Sequence, residues 1–177
     1  MTDSSQTERP EVLVTGLEWL GGNVRSLSAK LGEVIRAAEF TLDITVYSLT
    51  DGADELLAVI NEKAAVGVRI RIIVDDLESV EDYNKFFLRA KLREMIQRNP
   101  ETFQVYNFPH ESNTDGLHAK VVVVDRTHAL IGSANLSFRG LLSTHELGVL
   151  VYGETARTTA ECIDKLINSS KTKRWGL

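Results

Sequence analysis

Apolar residues recur along this chain at two spacings, one typical of helices and the other typical of strands. Spacings of three and four positions predict four helices, over residues 25–39, 53–66, 80–98 and 154–167. Alternating or short continuous apolar runs predict strands, over residues 42–47, 68–74, 103–108, 121–124, 129–131 and 146–152. Strands that alternate with helices indicate an α/β domain whose helices cover both faces of a central sheet.

The connection between the runs at 121–124 and 129–131 is short, from Asp125 to His128. Only antiparallel neighbours are joined by so short a turn, because parallel strands need a long crossover. We therefore expect the central β-sheet to be mixed. Asn23 and Asp51 stand where the N-caps of the first two helices are expected.

Composition indicates a globular protein that needs no membrane. The 177 residues, 43% hydrophobic and 25% charged, suit one domain over residues 12–177 after a polar, disordered segment over residues 1–11. No apolar run is long enough to cross a bilayer and no apolar signal core stands at the N-terminus, so we expect a cytoplasmic protein. The single cysteine, Cys162, excludes an internal disulfide, and we expect it on the apolar side of the last helix.

Charge changes this picture only locally. A net charge of −5 excludes a protein coated in basic residues. Lys85, Arg89 and Arg93 nevertheless recur every four residues on the third predicted helix, and the tail KTKRW at 171–175 is basic. Such clusters can bind phosphates. The helical cluster is equally compatible with a solvated helix face on which Glu81 pairs with Lys85.

The segment LHAKVVVVDRTHALIGSANLSFRG, at 117–140, places polar side chains at the ends of two apolar runs. Side chains two positions apart leave a strand on the same face, so His118 and Lys120 should project together. Their strand runs into the interior, where burying an uncompensated pair of this kind would be costly. The segment therefore predicts a functional site rather than an ordinary pair of core strands.

These residue types suit the cleavage of a phosphodiester. A neutral imidazole at His118 can attack phosphorus and form a covalent intermediate. The fixed cation of Lys120 can balance charge on the phosphoryl oxygens, and Ser133 and Asn135 supply small donors for the remaining oxygens. Gly132 would let the backbone approach a phosphate closely.

The histidine also needs a carboxylate on its second ring nitrogen to fix its tautomer. Asp125 and Glu146 are the local candidates. The complete spacing reads H-x-K-x4-D-x6-G-S-x-N, and the stretch THELGVLV follows it. Together these features resemble the phospholipase D superfamily and its HKD motif, most sharply over residues 117–151.

The resemblance implies a phospholipase D-like fold and a role for each motif residue. His118 would be the nucleophile that forms a phosphohistidine, and Glu146 would hydrogen-bond its ring. The substrate phosphate would be bound by Lys120, Ser133 and Asn135. Asp125 would support the motif, and no metal or other cofactor would be needed.

Members of this superfamily work with two motifs, so that one histidine attacks while the other protonates the leaving oxygen. This chain contains a single H-x-K, because His110, His128 and His145 are followed by other residues. The need for a general acid then predicts a homodimer or higher homo-oligomer in which His118 of two subunits shares one site. We expect His110 in an exposed loop and His128 at a solvated turn. The sequence is equally compatible with His145 in the cleft and with His145 at the surface.

The resemblance extends to small dimeric bacterial nucleases and to phospholipase D-like proteins of anti-phage and restriction systems. It implies a nuclease whose partner is DNA or RNA. Two alternatives stay open at this point. One is a phospholipid phosphodiesterase or phosphatidyltransferase. The other is a nuclease subunit regulated by a partner, such as an ATPase or another defence-system protein.

Overall fold

The computed structural model describes residues 9–19, 21–22, 24–47, 49, 53–80, 83–112 and 115–176. Its strands are β1 (Glu11–Thr15), β2 (Arg25–Ser26), β3 (Thr41–Val46), β4 (Arg69–Asp75), β5 (Phe103–Phe108), β6 (Lys120–Val124), β7 (His128–Gly132), β8 (Glu146–Tyr152) and β9 (Lys173–Trp175). Its α-helices are α1 (Leu27–Ala37), α2 (Asp54–Ala65), α3 (Tyr83–Arg98) and α4 (Gly153–Ile167). A 3-10 turn at Leu17–Trp19 and a π-helical turn at Arg139–Ser143 complete the described elements.

The described strands form one nine-stranded sheet, in the order β2-β1-β8-β7-β6-β3-β4-β5-β9. Strands β3, β4 and β5 run parallel, with α2 and α3 as their crossovers. Strand β6 runs antiparallel to both β3 and β7. The short connection after β6 therefore forms the expected hairpin, and the prediction of a mixed sheet is confirmed.

Alternation within the central strands divides the core between the two faces of the sheet. On β3, Leu42, Ile44 and Val46 are buried in one cluster with apolar side chains of α1, α2 and α3. On the other face, Val123 of β6 and Ala129 of β7 pack with the small residues of α4. The helices therefore cover both faces, as the sequence predicted.

Strands β1, β2 and β9 were not predicted. Strand β1 begins at Glu11, inside the segment expected to be disordered, whose residues 1–8 lie outside the described part of the chain. Strand β9 is only three residues long, yet it pairs with β5 and leaves Trp175 just 7% exposed. A segment this short and basic has no periodic signal, so only the free edge of β5 makes it a strand.

One helix start and one helix face differ from expectation. Ser26 is the N-cap of α1, because its hydroxyl accepts a hydrogen bond from the backbone N–H of Ala29 at 3.4 Å. The predicted caps Asn23 and Asp51 both lie outside the described residues. On α4, Cys162 is exposed, so its predicted position on the apolar side was wrong.

The basic residues of α3 make contacts within the fold. Arg89 donates to two backbone carbonyls of the loop between β4 and α3, at 2.9 and 3.0 Å. Arg93 lies 5.0 Å from the centre of the Trp175 ring, and Lys85 is only 9% exposed. Lys85 is therefore buried and does not lie on a solvated helix face. Its predicted partner Glu81 lies outside the described residues. No helix among the described residues has the length and apolar character that crossing a bilayer requires.

Candidate active site

The ends of six strands meet along one edge of the sheet. Register places Lys120 of β6 opposite Gly132 of β7, which in turn lies opposite Gly148 of β8. The carboxyl ends of β3 and β4 open on the same edge, because Thr45 near the end of β3 pairs with Val121 at the start of β6. Strand β1 ends there as well, antiparallel to the start of β8. We call this edge of the sheet the HKD edge, because Lys120 of the H-x-K motif lies on it.

His118 and Lys120 meet on the side chain of Tyr47, which directly follows β3. The Nζ atom of Lys120 lies 4.8 Å from the centre of the Tyr47 ring, and the His118 ring packs edge-on against that ring with centroids 4.6 Å apart. Lys120 also donates from Nζ to the backbone carbonyl of His118 at 2.7 Å. His118 is exposed whereas Lys120 is only 9% exposed, so the pair combines an accessible imidazole with a recessed cation.

Ser133 and Glu146 face each other across the ends of β7 and β8. The hydroxyl of Ser133 donates to one carboxylate oxygen of Glu146, and the hydroxyl of Thr144 donates to the other at 2.9 Å. We expected Glu146 to hydrogen-bond the ring of His118. Among the described residues its carboxylate accepts from these two hydroxyls instead, which corrects that expectation for the arrangement seen here.

Gly132 is required by the close contact between two neighbouring strands. A Cβ atom at this position would come within 2.9 Å of both the Cα of Gly148 and the carbonyl oxygen of Leu147. Backbone atoms cannot give way as a flexible side chain can. The structure therefore shows a close approach of Gly132 to β8, and the approach to a phosphate stays a prediction.

Asn135 lies in the stretch that leaves β7 at the HKD edge. The π-helical turn encloses it, since a Cβ atom at Gly140 would come within 2.4 Å of the backbone oxygen of Asn135. The side-chain oxygen of Asn135 is buried and has no hydrogen-bond partner among the described residues. Packing around its backbone therefore holds Asn135 in place, while its side-chain oxygen accepts no hydrogen bond from the described residues.

Asp125 does not reach the HKD edge. It follows the last residue of β6, and at about 3.3 Å per residue it stands roughly 16 Å along the strand from the lysine. Its carboxylate accepts the backbone N–H groups of Glu39, Phe40 and Thr41, at 2.9, 2.7 and 2.7 Å. Asp125 therefore anchors the start of β3, and the prediction that its carboxylate could bond the ring of His118 was wrong.

The structure adds a residue that the sequence did not single out, Asp75 at the end of β4. Asp75 is 1% exposed, and its Oδ1 accepts the backbone N–H of Leu117 at 2.7 Å. The same oxygen lies 2.7 Å from Nε2 of His110, which is thus tied to a buried carboxylate rather than left free in its loop. One signal for Asp75 was available, since a carboxylate ends the apolar run RIIVD of a predicted strand.

Burial shapes the electrostatics of the recessed lysine. Desolvation lowers the pKa of Lys120, while the negative charges of Glu146 and Asp75 act in the opposite direction. Both carboxylates are therefore close enough to influence the ammonium group, although neither belongs to the strand that carries it. Four of the predicted site residues lie at this edge together with Asp75. They are His118, Lys120, Ser133 and Glu146.

The two remaining histidines have separate surroundings. His145 hydrogen-bonds Glu18 through Nε2 and lies beside the ring of Trp19, with centroids 5.6 Å apart. His145 therefore lies near the end of β1, beside the HKD edge, and its hydrogen-bond partner is Glu18. His128 starts β7 at the opposite edge, where its ring packs on Tyr152 at 5.2 Å.

Comparison with known proteins decides the family. A family model described as "Cardiolipin synthase, PLD-like domain" matches residues 31–169. The chain belongs to the phospholipase D superfamily. Its membership confirms the resemblance that the H-x-K motif carried, and with it the prediction of a phosphodiesterase at the level of this superfamily.

Two curated relatives of this phospholipase D-like chain differ in how much of their length it matches. The DISARM protein DrmC of Bacillus paralicheniformis is 29% identical over 170 residues, which cover 96% of this chain and 68% of DrmC. The 5'-3' exonuclease PLD3 of Homo sapiens is 31% identical over 145 residues, covering 74% of this chain and 28% of PLD3. The chain thus corresponds to most of DrmC and to about a quarter of PLD3.

Solved structures share the fold of this phospholipase D-like chain. The phospholipase D family member Nuc from Salmonella typhimurium superposes with a TM-score of 0.71 at 18% identity, over 94% of this chain and 99% of Nuc. The phosphatidylserine synthase of Haemophilus influenzae superposes with a TM-score of 0.71 at 20% identity, over 94% of this chain and 40% of the synthase. These similarities confirm the predicted phospholipase D-like fold.

Proposed function

We propose that this protein is a metal-independent phosphodiesterase that cleaves the backbone of DNA or RNA. The observation that carries the proposal is the joint packing of His118 and Lys120 on Tyr47, at the edge where Ser133 and Glu146 also lie. An exposed imidazole beside a recessed cation suits nucleophilic attack on a phosphodiester. Support for a nucleic-acid substrate comes from the relative PLD3, which is named a 5'-3' exonuclease.

The proposed reaction has two steps. A ring nitrogen of His118 attacks phosphorus, so that a P–N bond forms while the P–O bond to the leaving group breaks. Lys120, Ser133 and Asn135 stabilise the negative charge on the non-bridging oxygens. The departing oxygen takes a proton from a second imidazole, which then removes a proton from the water that hydrolyses the phosphohistidine.

We infer that the second imidazole is His118 of another copy of this chain. The chain has one H-x-K motif, and a twofold axis through the HKD edge would bring two copies of the motif together. Exposed apolar side chains surround this edge and would be covered by the second copy. They are Leu17, Trp19, Leu142 and Leu147, which are between 41% and 83% exposed.

A role in bacterial defence is compatible with this chemistry. The similarity to the DISARM protein DrmC extends over 96% of this chain, whereas the match to PLD3 covers 74%. We propose that the protein works as a nuclease of such a system in the cytoplasm. A partner of that system, such as an ATPase, would then regulate access to the site.

The deciding experiment compares wild type with His118→Ala on labelled single- and double-stranded DNA and RNA, in excess EDTA. Cleavage by the wild type alone supports a metal-independent nuclease and identifies its substrate. Equal cleavage by both proteins would remove His118 from the mechanism. If the wild type cleaves none of these substrates but hydrolyses a phospholipid, the lipid alternative replaces the nuclease.

A further inference from the structure

Asp75 lies outside the HKD motif but is buried against the loop that carries it. The carboxylate is 1% exposed, and a charge removed from water to this extent needs partners. Its Oδ1 meets the N–H of Leu117 and Nε2 of His110, both at 2.7 Å. Its Oδ2 lies 3.9 Å from Nζ of Lys85 on α3. One carboxylate thus links β4, α3 and two points of the loop between β5 and β6.

The contact to Leu117 fixes the backbone directly before the nucleophile. On the other side of His118, the hydroxyl of Thr45 donates to the carbonyl of Ala119 at 2.9 Å and accepts the N–H of Val121 at 3.1 Å. The histidine is therefore bracketed, with Asp75 holding the residue before it and Thr45 holding the residue after it. Neither contact involves the imidazole itself, so the ring stays available.

Asp75 also contributes charge to the recessed lysine, because Nζ of Lys120 donates to the carbonyl of His118, the residue that follows Leu117. Burial lowers the pKa of Lys120, and the charges of Glu146 and then Asp75 counter that effect. Glu146 is additionally engaged by two hydroxyls, whereas Asp75 is engaged by an amide, an imidazole and an ammonium group. Among the described residues, the titratable groups that face the lysine are Glu146 of β8, Asp75 of β4, Tyr47 after β3 and His118 before β6. Lys85 of α3 and His110 after β5 face Asp75.

We propose that Asp75 is a positioning residue of the active site, which fixes the backbone in front of His118 and supplies a counter-charge to Lys120. The role rests on the proposed phosphodiester cleavage, because only that reaction needs both groups. Its two physical effects are nevertheless measurable in the full-length protein without any substrate. A failure of the proposed reaction can therefore be told apart from a failure of this assignment.

The charge effect is tested by titrating Lys120 in protein labelled with ¹³C at lysine Cε, with the signal assigned by its loss in Lys120→Met. Asp75→Asn should move the lysine titration to lower pH, because a counter-charge has been removed. The matched control is Asp76→Asn, which removes the same charge one residue away. Asp76 has a φ of +38°, a conformation that asparagine tolerates. Identical titrations in the two variants would overturn the charge effect.

The positioning effect is tested by amide hydrogen exchange at Leu117. Asp75→Ala removes the acceptor of this N–H, so exchange at Leu117 should accelerate while the amides of β7 and β8 keep their protection. Unchanged exchange at Leu117 would overturn the positioning role. If the protein is active on a nucleic acid, kcat of Asp75→Ala should fall by roughly 10²-fold, since small misplacements of a nucleophile have effects of that size.

Lys85→Met keeps the proposal testable if the Asp75 variants do not fold. Loss of the Lys85 ammonium leaves the Asp75 carboxylate less neutralised, so the titration of Lys120 should move to higher pH. That direction is opposite to the one expected for Asp75→Asn. An unchanged titration, or a shift to lower pH, would show that Asp75 does not act on Lys120.

Discussion

The ring of Tyr47 packs edge-on against the ring of His118, with the two centroids 4.6 Å apart. Among the described residues, the carboxylate of Glu146 bonds Ser133 and Thr144, and the exposed imidazole packs on the ring of Tyr47. Edge-on ring pairs contribute about 0.5–1.5 kcal/mol beyond the area they bury. That is enough to favour one orientation of a histidine ring that stands at the surface.

Tyr47→Leu should lower kcat/KM by roughly 5- to 10-fold, because the loss of about 1 kcal/mol of ring packing frees the imidazole and exposes the lysine. Tyr47→Phe keeps the ring and should stay close to wild type. Steady-state kinetics on one labelled oligonucleotide measure both. Equal losses in the two variants would assign the effect to the phenolic hydroxyl instead.

The pH dependence of cleavage should report the recessed lysine. Burial lowers the pKa of Lys120, and only the protonated form balances phosphate charge, so activity should fall on the alkaline side below the ordinary lysine pKa. Lys120→Ala should lower kcat by about 10²-fold or more. Lys120→Arg stays charged throughout and should lose this alkaline limb. If kcat/KM of Lys120→Arg falls at the same alkaline pH as in the wild type, a group other than Lys120 causes that fall.

Asp125→Ala should affect stability and leave the chemistry intact. The change removes the acceptor for three backbone N–H groups at the start of β3, and we expect a loss of about 2 kcal/mol in the free energy of unfolding. Urea unfolding measures this loss, and Asp125→Asn, which keeps one acceptor oxygen, should lose less. A kcat reduced more than about twofold in the folded Ala variant would return Asp125 to the mechanism.

Gly132→Ala should destabilise the pairing of β7 with β8. The added methyl group would meet backbone atoms of Leu147 and Gly148 at 2.9 Å, and such overpacking costs about 1–3 kcal/mol. Gly148→Ala is the matched control, because its nearest contact is a side-chain carbon of Leu27 at 3.2 Å. Thermal unfolding of both variants makes the comparison. A milder effect at Gly132 than at Gly148 would contradict the packing argument.

The proposal that two subunits share one site makes a quantitative prediction for mixtures of wild type and His118→Ala. If each site needs His118 from both subunits, only wild-type homodimers are active after the chains are mixed in denaturant and refolded. Activity should then fall as the square of the wild-type fraction. A linear decrease, or full activity at the sedimentation coefficient of a monomer, would show that one chain suffices.

The sequence by itself determined the elements and the motif of this protein. Residues 103–108 and 146–152 were predicted as strands with the bounds that the structure shows, because a short run of apolar residues is a local property of the chain. The spacing of His118, Lys120 and Ser133 was likewise readable, since one hairpin carries all three. The superfamily followed from that spacing.

Only the tertiary structure decided which groups each carboxylate bonds. Asp125 bonds the N–H of Phe40 from 85 positions away, and Asp75 bonds that of Leu117 from 42 positions away. Such pairs depend on which strands become neighbours and on which end of a strand a residue occupies. Glu146 turned to Ser133 for the same reason, because β7 and β8 lie side by side. Periodicity along the chain does not encode these distances, nor the burial that lowers the pKa of Lys120.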